Sequence, residues 1–270
     1  MASNRLQRVR ESILPWIVPV SLLVIWEIAV RAGWISNRFL PAPSAVLVAA
    51  VQLTRNGVLP RHMLVSTVRA LTGLAIGGGL GFVLGLSTGL VPAAERALDS
   101  SIQMLRNIPN LALVPLVILW FGIEESAKLV LVGLGVFFPL YVNTFHGVRT
   151  VDPGLIEMAR MYHLGPVDLM RKVLLPGALP SILVGLRIAL GTMWLTLIVA
   201  ETISAKAGLG YMATNAREFM QTDVVVLAIL IYALLGKLAD LLVRLLERRL
   251  LCWHPSYQPR SQTVAVAAQS

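Results

Sequence analysis

The sequence predicts an all-α integral membrane protein on three observations: the length of its apolar runs, the scarcity of charge, and the absence of strand alternation within those runs. Hydrophobic residues make up 56% of the 270 and charged residues 14%, and the mean hydropathy is +0.75. A soluble domain of this size is far more polar. A hydrocarbon core of about 30 Å takes roughly 20 helical residues per crossing. The apolar runs near residues 13–30, 64–91, 102–121, 128–146, 178–200 and 224–243 therefore predict about six transmembrane helices. Lipid offers no water to open backbone groups, so runs of this length form helices that satisfy themselves.

The first run follows Arg5, Arg8 and Arg10 and so imitates a signal peptide. It is too long for the apolar region of one, and Arg31 stands where small residues would mark cleavage, so a retained span is expected. With the N-terminus inside, thirteen Lys and Arg fall in the tails and inner loops and eight fall outside (Arg31, Arg38, Arg55, Arg61, Arg69, Lys128, Lys206 and Arg217). That bias puts both termini in the cytoplasm.

The formal charge of +9 does not point to nucleic acid, because no basic run is interleaved with solvent-facing aromatics. Basic residues beside apolar spans serve topology and anionic lipid instead. The lone Cys252 can form no internal disulfide. His62, His146 and His254 share no helical face, so no metal site is expected.

The second span carries Gly73, Gly77, Gly81, Gly85 and Gly89, one at every fourth position, with Gly78 and Gly79 between. Such a row lets a neighbouring backbone approach one helix face. It suits a helix that is simply packed tightly, the favoured reading, or one that slides or rotates against a partner. The third span is interrupted by Pro109 and Pro115. A kink is expected at Pro115, either as a plain bend or as the broken helix that lines a cavity in many transporters.

Between the fourth and fifth spans, residues 147–177 read as helix, turn and helix. Asp152 can cap the first helix with Pro153 at its first position, and Leu155, Ile156, Ala159 and Met161 alternate with Glu157 and Arg160 at helical spacing. Leu164-Gly165-Pro166 stops it. The second helix is expected to start at Pro166, present Leu169, Met170, Val173 and Leu174, and end before Pro176. This pair can be a docking knob for a partner, or an amphipathic pair lying on lipid.

Glu157-Met158-Ala159 followed by Val173-Leu174-Leu175-Pro176 resembles the EAA loop of ABC importer permeases. The resemblance places Glu157 and Ala159 on a coupling helix that docks in a cleft of the ATPase, and Leu175 and Pro176 at the return to the membrane. The family's glycine position falls on His163, with Gly165 two residues on, which leaves two places for the turn. The stretches 101–109, 119–126, 193–202, 208–211, 215–219 and 221–223 resemble the aliphatic sulfonate branch of that family. Permeases for taurine, nitrate and other small anions share much of the pattern.

The resemblance divides the chain into 1–60 (tail, first span and external loop), 61–244 (importer transmembrane domain) and 245–270 (cytoplasmic tail). It implies a bacterial inner-membrane homodimer, joined to two ABC ATPase subunits and fed by an external substrate-binding protein. ATP and magnesium are then expected on the ATPases, with no cofactor in this chain and no nucleic acid. The chain itself lacks the G-x-x-x-x-G-K-[ST] phosphate loop, so it is expected to be a transport subunit without catalysis of its own.

A charge inside a span is costly unless it faces protein, water or a partner. Arg187, with Thr192 and Thr196 on the same span, can supply donors and potential along an anion path. The alternatives are a structural ion pair, such as Lys237 with Asp240, or Arg187 snorkelling toward the cytoplasm. Glu201 closes the fifth span, as part of an external gate with 206–211 or as a plain helix-end carboxylate. An ion-coupled transporter would show repeats between halves, and a membrane enzyme would gather acid, base and nucleophile at one depth. The sequence shows neither.

Overall fold

The computed structural model describes the backbone of residues 2–253 and the side chains from Ile17 onward, except that of Ser204. His254, Arg260, the tail from Ser256 and the side chains of Arg5, Arg8 and Arg10 lie outside the described residues. In chain order the helices are α1 (Ala2–Arg31), α2 (Pro43–Arg55), α3 (Val58–Leu90), α4 (Pro92–Leu105), α5 (Asn110–Phe121) and α6 (Glu125–Arg149). They continue as α7 (Pro153–Met161), α8 (Pro166–Ile203), α9 (Leu209–Glu218) and α10 (Thr222–Leu250). No strand occurs among the described residues.

Four of these, α3, α6, α8 and α10, are long and apolar enough to cross a bilayer, and α4 with α5 would make a fifth span bent by 86°. The first expected span is helical throughout as α1, and its apolar side chains from Ile17 to Ile28 are largely exposed.

The break in the third span is not at Pro115. It falls at residues 106–109, where Ile108 precedes a proline and is thereby driven away from the helical region. Pro115 sits in the first turn of a regular helix over Val114–Phe121, where its missing N–H leaves no bond unmade. The α4 limb begins earlier than the apolar run suggested, since it is tied to α6 by polar contacts. Tyr141 donates to Asp99 at 2.9 Å, and Arg149 pairs with Glu95.

The chain divides into two compact units. The first comprises Met1–Val65 with Lys206–Ile231. In it the backbone N–H and hydroxyl of Ser44 donate to Glu27 at 3.0 and 2.8 Å, so a carboxylate on α1 caps the start of α2. His62 Nδ1 accepts the Gly208 N–H at 3.0 Å, at the entry to α9.

The second unit, Ser66–Ala205 with Tyr232–Ser270, is built around α6, which packs between α3 and α8. The glycine row lies against α6 along its whole length. A Cβ at Gly81 would stand 2.5 Å from the Phe137 carbonyl oxygen, and one at Gly85 would stand 2.6 Å from that of Tyr141. At Gly73 and Gly89 it would meet Val132 and Val148. Gly77 is the tightest point, where a Cβ would run into the backbone of Gly133. A π-helical turn over Leu74–Gly78 lies at this crossing. The row therefore serves close packing of α3 on α6.

Overpacking of this kind costs about 1–3 kcal/mol. Gly77→Ala should accordingly lower the thermal midpoint of the purified chain in detergent. Gly79→Ala, whose Cβ would meet nothing within 4 Å, should leave it unchanged. Equal midpoints for the two variants would remove the packing argument.

Candidate functional site

Asp152 caps α7 as expected, its Oδ1 accepting the Gly154 N–H at 2.8 Å, with Pro153 in the first turn. The other end closes on two bonds. Leu164 N–H reaches the Ala159 carbonyl at 3.1 Å, and His163 N–H reaches that of Arg160 at 2.9 Å. This paired closure requires a left-handed residue between the helix and the returning chain. His163 takes that position, with φ 55°, while Gly165 is extended at φ −65° and could be any residue. The turn thus centres on His163, the position to which the resemblance assigned a glycine, and His163 bears the backbone strain. Its Nδ1 lies 2.9 Å from the Met161 carbonyl.

The second hairpin helix starts at Pro166 but does not end before Pro176. It runs through a π-helical turn at Met170–Leu174 and on as α8 without a break. Leu175 N–H bonds to the Met170 carbonyl, five residues back. This wider turn lets a proline follow inside a continuing helix, where its ring would otherwise clash with a carbonyl one turn earlier. Leu175 and Pro176 are therefore mid-helix, and the second limb of the hairpin is continuous with a membrane helix.

Ala159 is 2% exposed and faces inward. Glu157 is exposed, flanked by exposed Leu155, Met158, Met161 and Tyr162. Such a cluster of exposed large apolar side chains beside a carboxylate is a surface fit for a protein partner.

A second polar assembly escaped the sequence reading. Glu201 is 1% exposed, and it is no plain helix-end carboxylate. Arg69 Nη1 donates to it at 2.8 Å, the Ser66 hydroxyl lies 2.8 Å from both its oxygens, and the Tyr232 hydroxyl donates at 3.0 Å. Arg69 also grips Glu125 with Nε at 2.5 Å and Nη2 at 2.6 Å, and Lys128 Nζ lies 3.3 Å from Glu125. Two cations and two carboxylates thus bind α3, α6 and α8 into one neutral cluster, to which the Tyr232 hydroxyl ties α10. The available signal was Arg69 and Glu201 each standing in an apolar helix, where a charge calls for an opposite partner.

Arg187 is held by carboxylates of α10. It pairs with Glu247, and its Nε lies 3.7 Å from Asp240, which also meets Lys237 at 3.7 Å. The Thr192 hydroxyl lies 3.0 Å from the Gly135 carbonyl on α6, and Thr196 donates to carbonyls of its own helix at 2.9 and 3.1 Å. Arg187, Thr192, Thr196 and Glu201 are not gathered into one site.

Long apolar helices, one of them continuous with a capped helical hairpin, define a polytopic helical membrane protein. Residues 77–251 match the family described as binding-protein-dependent transport system inner membrane component. The chain is 59% identical to the aliphatic sulfonates transport permease protein SsuC of Escherichia coli (strain K12), over 93% of this chain and 96% of that one. It is 38% identical to the taurine transport system permease protein TauC of the same strain, over 88% of each. In fold it matches the crystal structure of an amino acid ABC transporter with histidines, at TM-score 0.59 and 19% identity, over 74% of this chain and 97% of that one. The chain belongs to the family of inner-membrane components of binding-protein-dependent transport systems.

Removing one member of a buried ion pair strands the other and costs about 3–5 kcal/mol. Arg69→Met, which strands the buried Glu201, should destabilise the chain by about that amount, Glu201→Met by less because Arg69 keeps Glu125, and the double variant by clearly less than the sum. Denaturation of the four proteins in detergent measures the coupling, and additive losses would show the contact to be idle.

Proposed function

We propose that this chain is the permease subunit of an ATP-driven importer that moves aliphatic sulfonates into the cytoplasm. It works as a homodimer with two ATPase subunits and an external binding protein, in the bacterial inner membrane, with both termini cytoplasmic. ATP and magnesium are handled on the ATPases. The importer domain spans 61–244, between the N-terminal span with its loop and the cytoplasmic tail.

The observation that carries this reading is the hairpin. Glu157 and its apolar neighbours face outward on a helix capped at both ends, and the return limb is continuous with α8. A partner that moves the hairpin moves a membrane helix with it. Support for the cargo comes from the sulfonate permease at 59% identity. The taurine permease, at 38%, supports the neighbouring alternative, itself a sulfonate.

In proteoliposomes holding the chain with its ATPase and binding protein, ATP should drive uptake of an alkanesulfonate, and the chain alone should show none. Glu157→Lys should abolish ATP-coupled uptake and weaken ATPase retention while the permease stays folded and inserted. Normal assembly and transport in that variant would defeat the docking assignment.

The anion path is proposed to run past Arg187, Thr192 and Thr196, with Glu201 toward its outer end. Glu247 and Asp240 neutralise Arg187 in this conformation, so a sulfonate reaching it competes with two carboxylates. Arg187→Gln should then lower both affinity and rate of uptake by at least about tenfold, the worth of one charge-assisted contact. Unaltered kinetics would leave Arg187 a purely structural partner of α10.

A further inference from the structure

We infer that α2, with Trp34 and Phe39 before it, is a lipid anchor seated in the leaflet where α1 ends; the inference rests on the reading of α1 as a span. A helix that is apolar all round is a buried helix, yet α2 is only half covered. Val46 and Ala49 are buried at 3% and 5% exposure, in line with Ala42 before the helix, while Leu47, Val48 and Val51 on another face are 67%, 56% and 51% exposed. Trp34 and Phe39, in the turn that leads to it, are 81% and 86% exposed. Soluble surfaces rarely expose so many large apolar side chains within one short segment without an occupant.

Three observations select lipid as that occupant. The first is depth. Ser44 is bonded to Glu27, one helical turn before Arg31 at the end of α1. At 1.5 Å per residue the start of α2 lies about 6 Å on the membrane side of that end, which is the depth of an interfacial helix. The second is charge. No Asp or Glu occurs between Ala32 and Val65, while Arg38, Arg55 and Arg61 are all exposed. Anionic phosphates complement that excess, which otherwise runs against the positive-inside rule. The third is residue type, since exposed aromatics next to the end of a span are the usual marks of the lipid–water boundary.

The test uses the full chain with Cys252→Ser, in vesicles of phosphatidylethanolamine and phosphatidylglycerol. Single labels are placed through Leu47→Cys, Val48→Cys, Val51→Cys, Leu23→Cys on α1, and Asn56→Cys beyond α2. Brominated lipid should quench a bimane at 47, 48 and 51 as it quenches one at 23, and aqueous iodide should reach only 56. Quenching of 47, 48 and 51 by iodide, with 23 still in lipid, would overturn the anchor and leave the span intact. Shielding of the three from both quenchers would overturn it in favour of a protein cover, a second copy or the external binding protein. If iodide also reaches 23, α1 does not cross and the anchor falls with it.

Discussion

In lipid, one apolar helix gains nothing by leaving the tails for another apolar helix, because tails are as apolar as leucine. Association has to come from closeness, through dispersion between backbones and small side chains. The contact of α3 with α6 is built on that constraint. From Gly73 to Gly89 each glycine of the row meets α6, and at Gly77 the two backbones touch through Gly133. With α3 seated there and α8 on its other flank, α6 is the most enclosed of the long helices. The polar assembly of the second unit is then placed by the same packing. Arg69 comes from α3, Glu125 and Lys128 from α6, and Glu201 from α8.

That cluster gives the direction which apolar packing lacks. Apolar faces tolerate small slips in register, whereas Arg69 must meet Glu201 and both oxygens of Glu125 at once. A slip of one residue would strand charge in a medium that cannot solvate it. The threonines of α8 solve a smaller form of the same problem by returning their hydroxyls to carbonyls of their own helix or of α6. Polar groups in this frame are either neutralised in pairs or turned back on the backbone.

Legibility in the sequence followed how local each cause was. The cap of α7 was readable because Asp152, Pro153 and Gly154 settle it among themselves. The glycine row was readable as a contact face, and the identity of its partner was not, since Gly133 lies 56 residues from Gly77 and nothing in sequence marks the pair. Prolines misled in both directions. Pro115 suggested a kink and sits harmlessly in a first turn, while Pro176 suggested a helix end and is carried through by a π-helical turn. In each case the outcome depended on whether the turn before the proline could rearrange, which residue type does not tell. Arg69 stands near the edge of an apolar run, where it reads as an external charge, and its two carboxylates come from residues 125 and 201.

His163 shows how firmly the turn of the hairpin is held. A left-handed conformation costs a non-glycine residue about 1–2 kcal/mol, and a flexible turn would relax away from it. The turn keeps it because Leu164 and His163 close two bonds onto α7, Asp152 secures the far end, and Pro166 starts the next helix at once. Glycine at the same position would remove the strain, and with it some of the restriction on the unfolded turn. The hairpin is therefore over-determined at both ends, and its second limb passes into α8 without an intervening loop. Under the proposed coupling role, a push on the hairpin would reach the helix that carries Arg187 and Glu201 through this continuous limb.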